Sequence, residues 1–325
     1  MSRSINIRGE YNTAKVFNPD IDESSYQQIE DMMNREEFKE SKFRFMPDVH
    51  YGKGSTVGTT MTVEDKIVPS FIGVDIGCGV SVTELEINKK EASDPEFLKT
   101  FDRNVRQQVP LGFNRHQQYK DSPDLKIEDF IVSDQLDEEV FYTSIGSLGG
   151  GNHFVSLEAT DDGKVYLLIH SGSRNIGHTV ATIYQDLADD LNPSDRKGEG
   201  YLEGEAMENY LHDLGLAQKY ALQNRNAMAN AILESNGLKQ RNRFDSVHNY
   251  IDLETMIARK GAISAKKGEK LVVPFNSRDG SVIAEGKGNE DWNHSAPHGA
   301  GRTMSRKQAK KRIPYQKYQE MMKNV

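Results

Sequence analysis

Apolar residues in this chain recur at two different spacings, and the spacing switches where glycines interrupt it. From Tyr26 to Phe38 the pattern is amphipathic, with Ile29, Met32 and Met33 on one face, which predicts a helix. Between Phe43 and Leu85 short β-branched runs broken by glycine predict strands at Thr59–Val63, Phe71–Val74 and Val80–Leu85. Phe97, Leu98, Phe101 and Val105 return to helical spacing, and a polar loop follows around Asn114 to Ser122. Val165–Ile169 is a continuous apolar run, the mark of a buried strand, and it ends at His170-Ser171-Gly172-Ser173-Arg174. Val180, Ile183, Tyr184, Leu187 and Leu191 predict a helix that stops at Asn192-Pro193. The strongest helical signal runs from Glu205 to Leu233 after a glycine-bounded loop, and strands are predicted again at Leu271–Val273 and Ser281–Ala284. Strands and helices alternate without a βαβ rhythm, so the expected class is α+β, mixed sheets with surrounding helices. No repeat, low-complexity tract or long linker divides the chain, so a single compact domain over 1–325 is expected.

Composition narrows the picture only slightly. A hydrophobic fraction of 36% and a charged fraction of 28% suit a globular protein, and no apolar run reaches the length of a membrane span. The first ten residues lack the apolar core of a signal peptide, and one cysteine suits a reducing compartment, so the expected location is cytoplasmic, without a membrane. A net charge of −8 argues against coating nucleic acid by bulk charge. The 301–312 stretch nevertheless carries six basic residues and no acid, a run that reads by default as a solvated helix face.

The candidate chemistry begins at the one cysteine, in Asp75-Ile76-Gly77-Cys78-Gly79-Val80. No second cysteine exists for an intrachain disulfide, and a carboxylate stands three residues upstream, so a hard and a soft ligand share one tight turn. Five of the nine histidines sit in glycine- or asparagine-framed settings: His50, His153, His170, His248 and His298. Each alone reads as a hydrogen-bonded core or loop residue. Together with Cys78 and Asp75 they form the inventory of a dinuclear metal site. Gly149-Gly150-Gly151-Asn152 could expose backbone N–H groups to a phosphate, although no P-loop or dinucleotide fingerprint occurs. Arg174 and Arg302 each follow a small-residue loop, where a guanidinium can grip phosphate or form a structural ion pair.

These motifs, with Pro47-Asp48-Val49-His50-Tyr51-Gly52-Lys53-Gly54, Val247-His248-Asn249, Arg259-Lys260-Gly261-Ala262 and His298-Gly299-Ala300-Gly301-Arg302, occur in the order seen in RtcB-type RNA ligases. From about residue 44 onward the chain closely resembles that family. The resemblance implies the family's α+β fold. It also implies joining of RNA 3′-phosphate or 2′,3′-cyclic phosphate ends to 5′-hydroxyl ends with GTP and two Mn²⁺ ions. Position by position, it makes Cys78 a bridge between the ions, with His170 and His248 on one and Asp75 and His153 on the other. It makes His298 the nucleophile that carries GMP, with Gly299, Ala300 and Gly301 beside the nucleotide. Asn152 becomes a triphosphate contact and Asn249 a nucleotide contact. Lys260 falls near nucleotide phosphate or RNA, and Arg174 and Arg302 near phosphate or RNA.

Two departures qualify the match. Family members carry a glutamate four residues after the asparagine of the Asn-His pair, where this chain has Ser156 and the nearest acid is Glu158. Val325 also falls short of the family's usual end, so the C-terminal extension and its guanine-side lysine are expected to be lacking. Pro274-Phe275-Asn276-Ser277-Arg278-Asp279-Gly280 is similar to a bacterial side branch linked to RNA repair. The alternatives are a metal-dependent RNA-end phosphoesterase and an RNA-binding accessory protein. RNA with broken ends is the expected partner, with an accessory activator as a further one.

Overall fold

The computed structural model describes residues 4–301, apart from 121, 123 and 197, and residues 306–323. It is a mixed α+β structure. Its six-stranded sheet runs in the order Ile5–Arg8, Thr13–Val16, Phe43–His50, Val57–Thr62, Ile257–Lys260, Asn249–Asp252. A four-stranded antiparallel sheet runs Gln240–Val247, Gly79–Leu85, Val165–Ser171, Phe154–Ala159. The chain passes between the sheets at His248, the single residue separating Gln240–Val247 from Asn249–Asp252.

Helices form where the apolar spacing predicts them. Glu23–Met33 begins at Asp22, whose carboxylate caps the Ser25 N–H at 3.0 Å, and it buries Ile29, Met32 and Met33. Pro95–Gln108 starts with proline at its first position after an Asp94 cap, where the missing N–H costs nothing. Gly204–Ser235 buries Tyr210, Leu214, Ala217, Ala221, Met228 and Ile232 along one face and packs against the Val165–Ser171 strand. Three polar residues of this helix, Asp213, Asn224 and Arg225, are also fully buried.

The strand predicted at Phe71–Val74 is a correction. Pro69–Phe71 is a short 3₁₀ helix followed by a turn, because Pro69 fixes φ and offers no N–H to a sheet ladder. Conversely, Gln240–Val247 is a strand although Gln240, Arg241 and Asn242 are polar and exposed. It is an edge strand, where one side faces water and apolar alternation is not required. None of the described helices is long and apolar enough to cross a membrane.

Candidate active site

Sheet register assembles the site. In the four-stranded sheet Gly79 pairs with both Val247 and Ser171, and His170 pairs with Val80 and Phe154. Cys78, His248, His170 and His153 therefore fall at one end of neighbouring strands, although up to 170 residues apart in sequence. The His248 N–H donates to the Cys78 carbonyl at 2.9 Å, and the Gly77 N–H to the Asn249 carbonyl at 2.7 Å, which locks the cysteine turn to the sheet crossing. His298 arrives from another direction. Ser295–Pro297 pairs with Ala262–Ser264, and the neighbouring Gly261 N–H donates to the His248 carbonyl at 2.6 Å.

The ligand atoms fall into two groups that share one atom. Cys78, His170 and His248 offer donors within 4.8 Å of one another, and so do Asp75, Cys78 and His153. The Cys78 Sγ lies 3.3 Å from His170 Nε2 and 3.4 Å from His153 Nε2, while His153 Nε2 lies 2.9 Å from Asp75 Oδ2. His153 Nδ1 donates to the Leu148 carbonyl at 2.8 Å, which leaves Nε2 as the nitrogen aimed at sulfur and carboxylate. One thiol, one carboxylate and three imidazoles thus converge with their sulfur, oxygen and nitrogen donors on a common space. The donor set fits transition-metal binding.

Electrostatics prepare these groups as ligands. Burial drives the His170 pKa down to about 3, with help from the neighbouring His153 and His298, and drives His248 well below its ordinary value. Both rings are neutral near pH 7, the form that binds metal. Burial and the Asp75 charge push the Cys78 thiol well up, so an entering cation has to displace its proton. Desolvation pushes the Asp75 carboxyl up, but the His153 hydrogen bond and charge outweigh it and hold the group below its usual range.

Of the triad residues, His170 and His248 line a cleft of about 410 Å³, together with Asn152, Phe154, Asn249, Lys260, Gly261, Pro274, Phe275 and the His298–Gly301 loop. The His298 ring centre lies 5.0 Å from that of His248, and His248 is 5.0 Å from His170. His298 Nδ1 sits 2.8 Å from the buried Asp48 carboxylate, a close ion-pair contact in which neither group makes a hydrogen bond of good geometry. Asn152 Nδ2 touches His170 Nε2 at 3.4 Å, and Asn249 spans from the Asp75 carbonyl to the Gly261 N–H.

Other expected residues lie differently. Lys260 lines the cleft, but its ammonium donates to the carbonyls of Lys53, Ser55 and Ser70; burial lowers its pKa to about 7. Arg174 stands behind the glycine loop, donating to Ser147 Oγ at 3.0 Å and the Gly112 carbonyl at 2.7 Å. Arg302 lies outside the described residues. Ser156 and Ser281 both donate to Glu158 Oε1, so that carboxylate ties the Phe154–Ala159 strand to the Gly280–Glu285 hairpin arm.

Three contributors were not anticipated. Asp48 sits inside a motif whose histidine drew the attention. Asn224 holds the site from behind, accepting from the Gly146 and Ser147 N–H groups and donating to Ser171 and Gly172. Arg225 donates to Asp245 at 2.6 Å and to the Gly77 and Ser171 carbonyls at 2.7 and 3.1 Å, and so joins the cysteine turn to the end of the histidine strand. Two adjacent polar residues on the apolar face of a long helix were the available signal. Arg225→Leu is expected to cost about 3–5 kcal/mol in denaturant unfolding, because Asp245 loses its buried partner. Arg225→Lys should recover only part of that loss, since an ammonium cannot span three acceptors in a plane.

Gly172 shows how tightly the Asp75 carboxylate is seated. A Cβ there would come within 2.1 Å of Asp75 Oδ1, so Gly172→Ala must move the carboxylate. Metal titration of that variant should show one of two affinities weakened by about tenfold or more, the scale seen when a ligand's support is lost.

Comparison with known proteins accords with this geometry. The family model described as tRNA-splicing ligase RtcB matches residues 28–141 and 128–325. An Escherichia coli protein named RNA-splicing ligase RtcB is 32% identical over 308 residues, covering 82% of this chain and 75% of that relative. The chain belongs to the RtcB family. An Aeropyrum pernix tRNA-splicing ligase RtcB is 26% identical over 357 residues, covering 82% of this chain and 74% of its own length. A Thermococcus kodakarensis relative of the same name is 24% identical over 353 residues, covering 81% and 73%. In this RtcB-family chain the motif residues His170, His248 and His298 line one cleft, and Cys78 and His153 lie beside them in the two triads.

Proposed function

We propose that this RtcB-family chain is a GTP- and Mn²⁺-dependent RNA ligase that joins 3′-phosphate or 2′,3′-cyclic phosphate ends to 5′-hydroxyl ends. The observation that carries the reading is the pair of ligand triads sharing Cys78, with the His298 ring in contact with His248. Cys78, His170 and His248 would hold one cation, and Cys78, Asp75 and His153 the other. Bound there, the cations would supply Lewis acidity toward phosphate oxygens and a more acidic water.

The chain's own residues set the rest. The Asp48 carboxylate lies 2.8 Å from His298 Nδ1, so in this reading Nε2 is the attacking atom and the resulting positive ring has a carboxylate beside it. Nε2 forms a bond to the α-phosphorus of GTP as the bond to pyrophosphate breaks. The guanylate then passes to the RNA 3′-phosphate, and the 5′-hydroxyl displaces GMP from it. A cyclic end must first be opened by water. Asn152 and the His298–Gly301 loop line the same cleft as the ring and are placed to contact the nucleotide. We further read 1–325 as one catalytic domain working in the cytoplasm, on RNA, with or without an activator.

The discriminating experiment supplies two RNA pieces, one with a 2′,3′-cyclic phosphate and one with a 5′-hydroxyl. A joined product that requires both GTP and Mn²⁺ is expected. Opening of the cyclic end without joining would replace the ligase reading with a phosphoesterase.

A further inference from the structure

The loop 111–120 borders the active site and presents an unusual surface. Phe113 is 103% exposed, Leu111 and Tyr119 are each 57% exposed, and Tyr119 is stacked on Tyr142 with ring centres 5.2 Å apart. Single exposed apolar residues are ordinary on loops. What distinguishes this loop is its attachment. Leu111 bridges to Gly149, the Gly112 N–H donates to the Gly149 carbonyl at 2.9 Å, and the Leu148 N–H donates to the Pro110 carbonyl at 2.9 Å. The same segment carries Asn152 and His153 into the site.

Arg174 completes the link. Its Nη2 donates to the Gly112 carbonyl, and its Nη1 rests so close to Gly149 that a Cβ there would come within 2.0 Å. The guanidinium therefore lies between the glycine loop and the residue immediately before Phe113. Residues 109–120 contain no acid but carry Arg115, His116 and Lys120, in a chain with 49 acidic residues. Arg115 is partly engaged, 3.7 Å from Glu139, whereas the Lys120 ammonium has no carboxylate partner among the described residues. A bare aromatic face with cations in the same loop, hydrogen-bonded to the glycine loop beside the cleft, has the makings of a stacking platform for single strands.

We propose that the 111–120 loop receives the single-stranded end of an RNA substrate, with an unpaired nucleobase stacked on Phe113 and backbone phosphates drawn to Arg115 and Lys120. The inference rests on the ligase reading and specifies where the strand leaves the cleft. The charged side chains of 109–120 are all cationic, which complements a polyanion with π-faces, while Glu139 lies 3.7 Å from Arg115 at the edge of this surface.

The test is fluorescence anisotropy of a labelled single-stranded oligoribonucleotide with a 3′-phosphate, titrated with the full chain at each of several salt concentrations. Phe113→Ala should weaken binding about tenfold, within the range for loss of one base–aromatic stack, and Phe113→Tyr should keep nearly full affinity. Lys120→Ala should lower the slope of log affinity against log salt. Unchanged affinity in Phe113→Ala would overturn the proposal, as would full affinity in Phe113→Leu, which keeps apolar contact without a π-face. Unchanged RNA affinity with altered self-association in sedimentation would assign the loop to protein contact and overturn it too. Binding needs neither GTP nor turnover. A wild-type chain that takes no guanylate would sink the ligase reading alone.

Discussion

Cys78→Ala is expected to abolish ligation and to strip both cation sites in one step. Its sulfur is the only donor common to the two triads, so its loss leaves Asp75 with His153 and His170 with His248 as separate pairs. Two donors rarely retain a divalent ion against dilution, and no other cysteine exists to substitute. Ligation should fall by more than about a hundredfold, beyond the 10–100-fold typical of losing a residue that merely supports a ligand. Elemental analysis after dialysis should find two Mn²⁺ per wild-type chain and less than one in the variant. Asp75→Ala, by contrast, should retain the cation held by Cys78, His170 and His248. Because Cys78 is buried and small, alanine leaves only a minor cavity, and a near-wild-type melting temperature would separate lost metal from lost fold.

His298→Ala should eliminate the covalent guanylate while leaving metal content intact. The ring is not a member of either triad, yet it stands against His248 with the Asp48 carboxylate 2.8 Å from Nδ1. With radiolabelled GTP and Mn²⁺, the wild-type chain should retain label through denaturation and the variant none. Asp48→Asn should retain some labelling at a reduced rate, about a hundredfold or more slower, since a neutral amide can hold the ring but no longer balances its charge. Label retained by His298→Ala would move the nucleophile elsewhere, and His50 is the other cleft imidazole outside the triads.

Much of the site could be read before any fold was in view, for a definite physical reason. Cys78, His153, His170 and His248 occupy strand ends, where the chain must turn, and turning leaves glycine and asparagine beside them as a visible frame. Gly77, at φ +73 and packed against Ala221, is such a marker. The family resemblance then supplied roles that spacing alone could not. Asp48 and Arg225 lacked a frame. Asp48 is an ordinary strand residue whose importance depends on the distant His298, and Arg225 looks like any helix charge until its neighbours prove apolar. The Gln240–Val247 strand was missed because an edge strand with polar residues has no period-2 signature. The Phe71–Val74 prediction failed because β-branched composition was weighed above the proline two residues earlier.

The account depends on a single sulfur serving two cations. Crystals of the full chain grown with Mn²⁺ and measured near the manganese absorption edge would test this directly. Two anomalous peaks are predicted, both within bonding distance of Cys78 Sγ, one beside His170 and His248 and the other beside Asp75 and His153. A lone peak under saturating metal, or a pair of which only one touches the sulfur, would contradict it.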